Sequence, residues 1–113
     1  PKANLHAPDI LNGRVLLLGE FGGLGLPLKG HLWQKDKNWG YRNLTGKDEL
    51  FQSYKRLIDQ MPALINKGLS AAIYTQTTDV EGEVNGLMTY DRKVIKMDVD
   101  KMNQINKALI DSQ

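Results

Sequence analysis

The sequence predicts an α/β fold built from two strand–helix units in succession, and three observations predict it. Val15–Leu18 is a continuous apolar run closed by Gly19, of the kind that fills a parallel sheet covered on both faces. Leu50, Phe51, Tyr54, Leu57, Ile58, Met61, Leu64 and Ile65 recur at helical spacing as one broad apolar stripe. A second run of small and β-branched residues, Ser70–Thr78, leads into another helical pattern at Val99, Met102, Ile105 and Leu109. With no internal repeat, the order gives two parallel strands, each followed by a helix.

The elements are expected at about 14–19 (strand), 46–67 (helix), 69–78 (strand) and 99–111 (helix). Asn12-Gly13 reads as a turn before the first strand. From Gly22 to Tyr41 runs a long stretch without periodicity, carrying His31, Trp33, Trp39 and Tyr41 among its glycines. Loops of that length in a compact domain are usually functional. Thr45 with Asp48 three residues on resembles a capping box for the first helix. Pro62 should kink or break that helix near Met61, and Gly68 suits a left-handed terminator. The second strand ends in a polar cluster, Asp79, Glu81, Glu83 and Asn85, with Asn85-Gly86 as a turn and Leu87–Lys93 running onward. Asp98 or Asp100 would cap the last helix.

Composition bounds the partners. The 113 residues make one domain or a piece of a larger one, with 41% hydrophobic and 25% charged residues, ordinary for a globular chain. A net charge of +2 with interspersed signs gives no support for nucleic acid as a partner. There is no cysteine, which removes disulfides, thiolate catalysis and zinc–thiolate sites. No run has the length of a membrane span, and Pro1–Pro8 has no signal-peptide core. The start without Met suggests a processed chain, a fragment or Met removal before Pro1. The compartment stays open, a periplasmic or secreted parent being compatible.

Most familiar motifs fail on single residues. Gly25–His31 is one residue from a phosphate-binding loop, with His31 where Lys is needed and Pro27 lacking an amide donor. Gly23-Leu24-Gly25 has Leu28 where a dinucleotide fingerprint needs its third glycine. Asp79-Val80-Glu81-Gly82-Glu83 alternates acids as a calcium loop does, but Val84 and Tyr90 occupy the required glycine and glutamate positions. His6 and His31 have no metal-ligand spacing, so no metal or cofactor is expected. Asn43-Leu44-Thr45 fits a glycosylation sequon, and neither Ser53 nor Ser70 has a histidine partner in a recognisable elbow. Carboxylate chemistry is what survives. Glu20, between Gly19 and Phe21-Gly22-Gly23 at a strand end, reads either as a nucleophile or proton carrier or as an ion-paired rim carboxylate. Trp33 and Trp39 read either as sugar-stacking rings or as cover for a core edge.

Gly19-Glu20-Phe21-Gly22-Gly23 resembles the nucleophile segment of glycoside hydrolase family 2, the family of β-galactosidases and β-glucuronidases. Tyr74–Lys93, most distinctively Gly86-Leu87-Met88-Thr89-Tyr90-Asp91-Arg92, resembles the eighth-strand region of one bacterial branch of it. The resemblance spans nearly the whole chain. It implies the last two β/α units, strands seven and eight with their helices, of a (β/α)8 TIM barrel. It also implies a retaining mechanism in which Glu20 attacks the anomeric carbon and a second glutamate, about 5–5.5 Å away, protonates the leaving oxygen. That acid/base belongs to the fourth strand and has no counterpart here, Glu49, Glu81 and Glu83 lying elsewhere along the expected elements. Substrate contacts are expected from Trp33, Trp39, Tyr74, Gln76, Asp79 and Asn85, with Tyr74 or Gln76 near the position where the family often has Trp. The implied partners are a carbohydrate substrate and the rest of the barrel. A lone two-stranded sheet would self-associate, and the chain alone would be inactive. The alternative is a non-catalytic carbohydrate-binding or assembly module using Trp33, Trp39 and Tyr41.

Overall fold

The computed structural model describes Leu5 and residues 13–113. His6, Asn12 of the expected turn, and the Pro1–Pro8 start apart from Leu5 lie outside the described residues. β1 (Leu16–Gly22) pairs in parallel with β4 (Leu69–Thr75), and a separate two-residue pair joins β2 (Leu24–Gly25) to β3 (Arg42–Asn43), also in parallel. Between them lie α1 (Lys47–Ile58) and α2 (Met61–Asn66), and α3 (Val99–Asp111) closes the chain.

The helices follow their apolar faces. From α1, Leu50, Tyr54, Leu57 and Ile58 are buried against Leu24, Leu26, Leu44 and Met97, with Met102, Ile105 and Leu109 of α3 packed on the same cluster. Met61, Leu64 and Leu69 make a second, smaller core under β1. The expected helix over 46–67 is divided: α1 ends before Asp59, and Pro62 stands in the first turn of α2, where its missing N–H costs nothing. The Thr45–Asp48 capping box does not form. Gly46 is the N-cap without a side-chain bond, and Thr45 instead donates its N–H and hydroxyl to Glu49 Oε2, at 2.9 and 3.0 Å. Asp98, of the two candidates, caps α3 by accepting from the Lys101 N–H at 3.0 Å.

The expectation of two full β/α units of a (β/α)8 barrel is corrected by this arrangement. Among the described residues, the four strands divide between two small parallel sheets, and only two helices, of 12 and 13 residues, exceed two turns. Strand and helix are separated by irregular segments over 26–41 and 76–98 whose backbone groups bond one another across loops. Leu26 N–H donates to Val84 O, Trp39 N–H to Gly82 O, and Val84 N–H to Trp39 O, at 2.8–2.9 Å. Backbone satisfied loop against loop does not extend a ladder. The result is a mixed α/β globule.

The strands also differ from expectation in detail. β1 runs on through Glu20 to Gly22, and β4 stops at Thr75, ahead of a cis Thr75–Gln76 peptide bond. β1 is not covered on both faces: Val15 beside it is 70% exposed and Leu17 within it 59%. The tight turn falls on Glu81-Gly82, where Val80 and Glu83 exchange both backbone hydrogen bonds, rather than on Asn85-Gly86.

Candidate functional site

Glu20 is placed by a fault in the sheet register. Leu18 pairs with Ala72 and Phe21 with Tyr74, so Gly19 and Glu20 together face the single residue Ile73. Two residues against one is a β-bulge, a device that bends a strand and re-aims a side chain. Here it leaves the Glu20 carboxylate exposed near the C-terminal end of β1.

A loop tyrosine meets it. Tyr41 Oη donates to Glu20 Oε2 at 3.3 Å, and the Tyr41 ring lies over Gly23. Gly23 has φ of 64°, and any Cβ there would run into that ring, so the position requires glycine twice over. The charge of Glu20 holds the Tyr41 phenol above its usual range, with desolvation, the hydrogen bond itself and Glu83 acting in the same sense. The phenol therefore stays a donor. Trp39 stands beside it, ring centroids 6.1 Å apart and tilted by 37°.

Glu83 completes the cluster through a polar relay. Gln76 Nε2 donates to Asn85 Oδ1 at 2.8 Å, and Asn85 Nδ2 donates to Glu83 Oε1 at 2.9 Å. Asn85 is fully buried, so the relay is fixed at its centre. Trp39 and Glu83 are bridged backbone to backbone, which brings the aromatic loop to the second carboxylate. The site is thus made of two acids, a phenol, an exposed indole and two amides, drawn from three separated segments.

The remaining expected contacts have surroundings of their own. Tyr74 is wedged edge-on between Phe21 and Tyr54, at 5.2 and 5.3 Å, and burial pushes its phenol far up. Its ring lies against Gly22, two residues after Glu20. Asp79 is buried against Lys96, Oδ1 accepting from Nζ at 2.6 Å and from the Gly86 N–H at 2.8 Å. Burial pushes the Asp79 carboxyl up and the Lys96 ammonium down, each opposed by the partner's hydrogen bond and charge. This pair holds the 79–96 segment together from inside. Trp33 packs edge-to-face with Tyr90 at 5.5 Å. Among the described residues, no group of three His, Asp or Glu is arranged to hold a metal ion.

Sequence reasoning set Glu83 aside and assigned Tyr41 no direct part at Glu20. The available signal for Glu83 was its spacing, two residues before Asn85 and at the foot of a tight turn. No protein-family model matches the chain, and no curated protein matches it.

Proposed function

We propose that this chain contributes the nucleophile of a retaining β-glycosidase, Glu20, to a site that binds a pyranose ring. The observation that carries the reading is the bulge that turns Glu20 out of the sheet onto the Tyr41 phenol. The likeness of Gly19–Gly23 and Tyr74–Lys93 to glycoside hydrolase family 2 supports it from the side of sequence.

Glu20 would attack the anomeric carbon, forming a glycosyl ester as the leaving oxygen departs with a proton. Water would then release the sugar with retention. The Tyr41 hydrogen bond orients the attacking carboxylate, and Trp39 offers a face to the sugar's C–H edge. Gln76 and Asn85 hold Glu83, which can accept hydrogen bonds from hydroxyls of the same ring. In that family the acid/base glutamate lies on an earlier strand than the nucleophile. Supplied from elsewhere in a longer protein, it would complete the pair, and the 113 residues alone would not turn over ordinary glycosides.

A fluorosugar with a dinitrophenolate leaving group isolates the nucleophile, because that group departs without protonation. The expected result is a glycosyl adduct on the peptide carrying Glu20, absent in Glu20→Gln. Binding of the sugar without an adduct, lost on Trp39→Ala but kept in Glu20→Gln, would instead favour a non-catalytic carbohydrate-binding module.

A further inference from the structure

The segment from His31 to Trp39 lies as a strap across the 79–91 region, tied at several points. His31 Nδ1 and Asp91 Oδ2 are 2.8 Å apart. Asp91 is itself fixed by the Thr89 hydroxyl at 2.6 Å and the Lys93 N–H at 3.1 Å. These hydrogen bonds, the Thr89 hydroxyl first and His31 next, hold the Asp91 carboxyl far below the usual carboxylate range. Midway, the Gln34 amide covers Gly82, where a Cβ would approach Nε2 to 2.5 Å. At the far end Trp39 exchanges backbone hydrogen bonds with Gly82 and Val84.

A strap tied this firmly nonetheless leaves its own large ring outside. Trp33 is 63% exposed and Tyr90 37%, packed edge-to-face with an interplanar angle of 90°. Each ring is close in the chain to one end of the His31–Asp91 pair. With Nδ1 committed to a carboxylate, the His31 ring is held in one orientation and keeps Nε2 for another partner. Its side chain is 31% exposed, enough to reach one. An exposed indole braced edge-on by Tyr90, two residues along the chain from an imidazole fixed by Asp91, supplies the apolar face and the hydrogen-bonding group that a pyranose ring needs, being apolar on its C–H face and hydroxylated around its rim.

We infer that Trp33, Tyr90 and His31 form a second saccharide subsite, separate from the Glu20 cluster, which takes a further ring of an oligosaccharide. The inference rests on the saccharide reading of the Glu20 site. Asp91 and Thr89 act as positioning residues for His31. The substrate class is accordingly a β-linked oligosaccharide rather than a simple monoglycoside.

The chain has two tryptophans, so Trp39→Phe leaves Trp33 as the only indole reporter and Trp33→Phe leaves Trp39. Fluorescence titration of both variants uses β-linked galacto-, gluco- and manno-tetraoses and their methyl monoglycosides as probes. The expected result is that a tetraose perturbs Trp33 while a monoglycoside perturbs Trp39 alone. His31→Ala and Tyr90→Ala should each weaken the Trp33 response to the tetraose about fivefold, within what one aromatic or hydrogen-bonding contact contributes. Circular dichroism of both alanine variants separates lost binding from lost folding. A Trp39 response with a silent Trp33 overturns the second subsite and leaves the Glu20 reading standing. A Trp33 response with a silent Trp39 overturns both the Glu20 reading and the inference that rests on it, because no ring then sits at Glu20 for the one at Trp33 to extend. Silence at both overturns both.

Discussion

At the scale of single residues, the least expected feature is a lysine inside the protein. In Val94-Ile95-Lys96-Met97 a lysine reads as solvated, yet Lys96 is fully buried and Ile95 is 45% exposed. The alternation is inverted because the partner, Asp79, lies 17 positions away, a pairing no local pattern encodes. Lys96 also donates to Val84 O at 2.9 Å, so one ammonium joins the carboxylate to the chain that leads into Asn85. Removing one ion of a buried pair leaves the other uncompensated, which costs about 3–5 kcal/mol, whereas neutralising both costs far less. Lys96→Met should therefore destabilise by about that amount in urea unfolding, and Asp79→Asn with Lys96→Met should recover to within about 2 kcal/mol of the native chain. A loss under about 1 kcal/mol for Lys96→Met alone would mean that Asp79 has another way to satisfy its charge. Glu20, by contrast, was legible as a chemical candidate from its glycine neighbours. The bulge that aims it and the tyrosine that meets it were not.

At the scale of elements, helices were more legible than strands, for a physical reason. An apolar stripe at helical spacing is written within a dozen residues, and α1 and α3 follow theirs closely. The β2–β3 pair is only two residues long on each side, and its partners are separated by the whole aromatic loop. Nothing in Leu24-Gly25 or Arg42-Asn43 announces the other. The same limit explains why the sequence reads as two successive β/α units while the strands divide between two small sheets. The helices also differ in how they are held. α1 buries five residues, but α3 buries none fully and meets the core through Met102, Ile105 and Leu109, with Asn106 Oδ1 accepting from the Tyr54 hydroxyl at 3.0 Å. With no side chain of its own fully buried, α3 draws part of its definition from its cap. Asp98→Ala should cost about 0.5–2 kcal/mol, a typical N-cap value, and should show first as faster amide exchange within Val99–Asp111. Exchange accelerating equally in α1 would instead mean that the helices open as one unit.

At the scale of the whole molecule, the site depends on a sheet too small to be self-sufficient. Among the described residues, two parallel strands leave two edges open, and isolated two-stranded sheets are marginal in water. The face bearing Val15, Leu17 and Ile73 adds large apolar surface, the last also 59% exposed. A groove of about 470 Å³ is lined by Phe21, Tyr54, Leu69, Ala71 and Leu109 among others. The register around Glu20 is therefore held mainly from one side, by the helices and the 76–98 segment. Apolar strand edges of this kind drive copies of a chain together unless a charge intervenes. The chain in solution should accordingly sediment as a concentration-dependent mixture, and Leu17→Lys should shift it toward the monomer. Leu17 is already more than half exposed, so the substitution costs the fold little, within about 0.5 kcal/mol for a surface position. Because Leu17 precedes the bulge and touches neither Tyr41 nor Glu83 in any hydrogen bond, the monomer should keep its Trp39 response to saccharide. A variant that becomes monomeric and loses that response would show that the second copy, rather than the loops alone, holds the Glu20 site in shape.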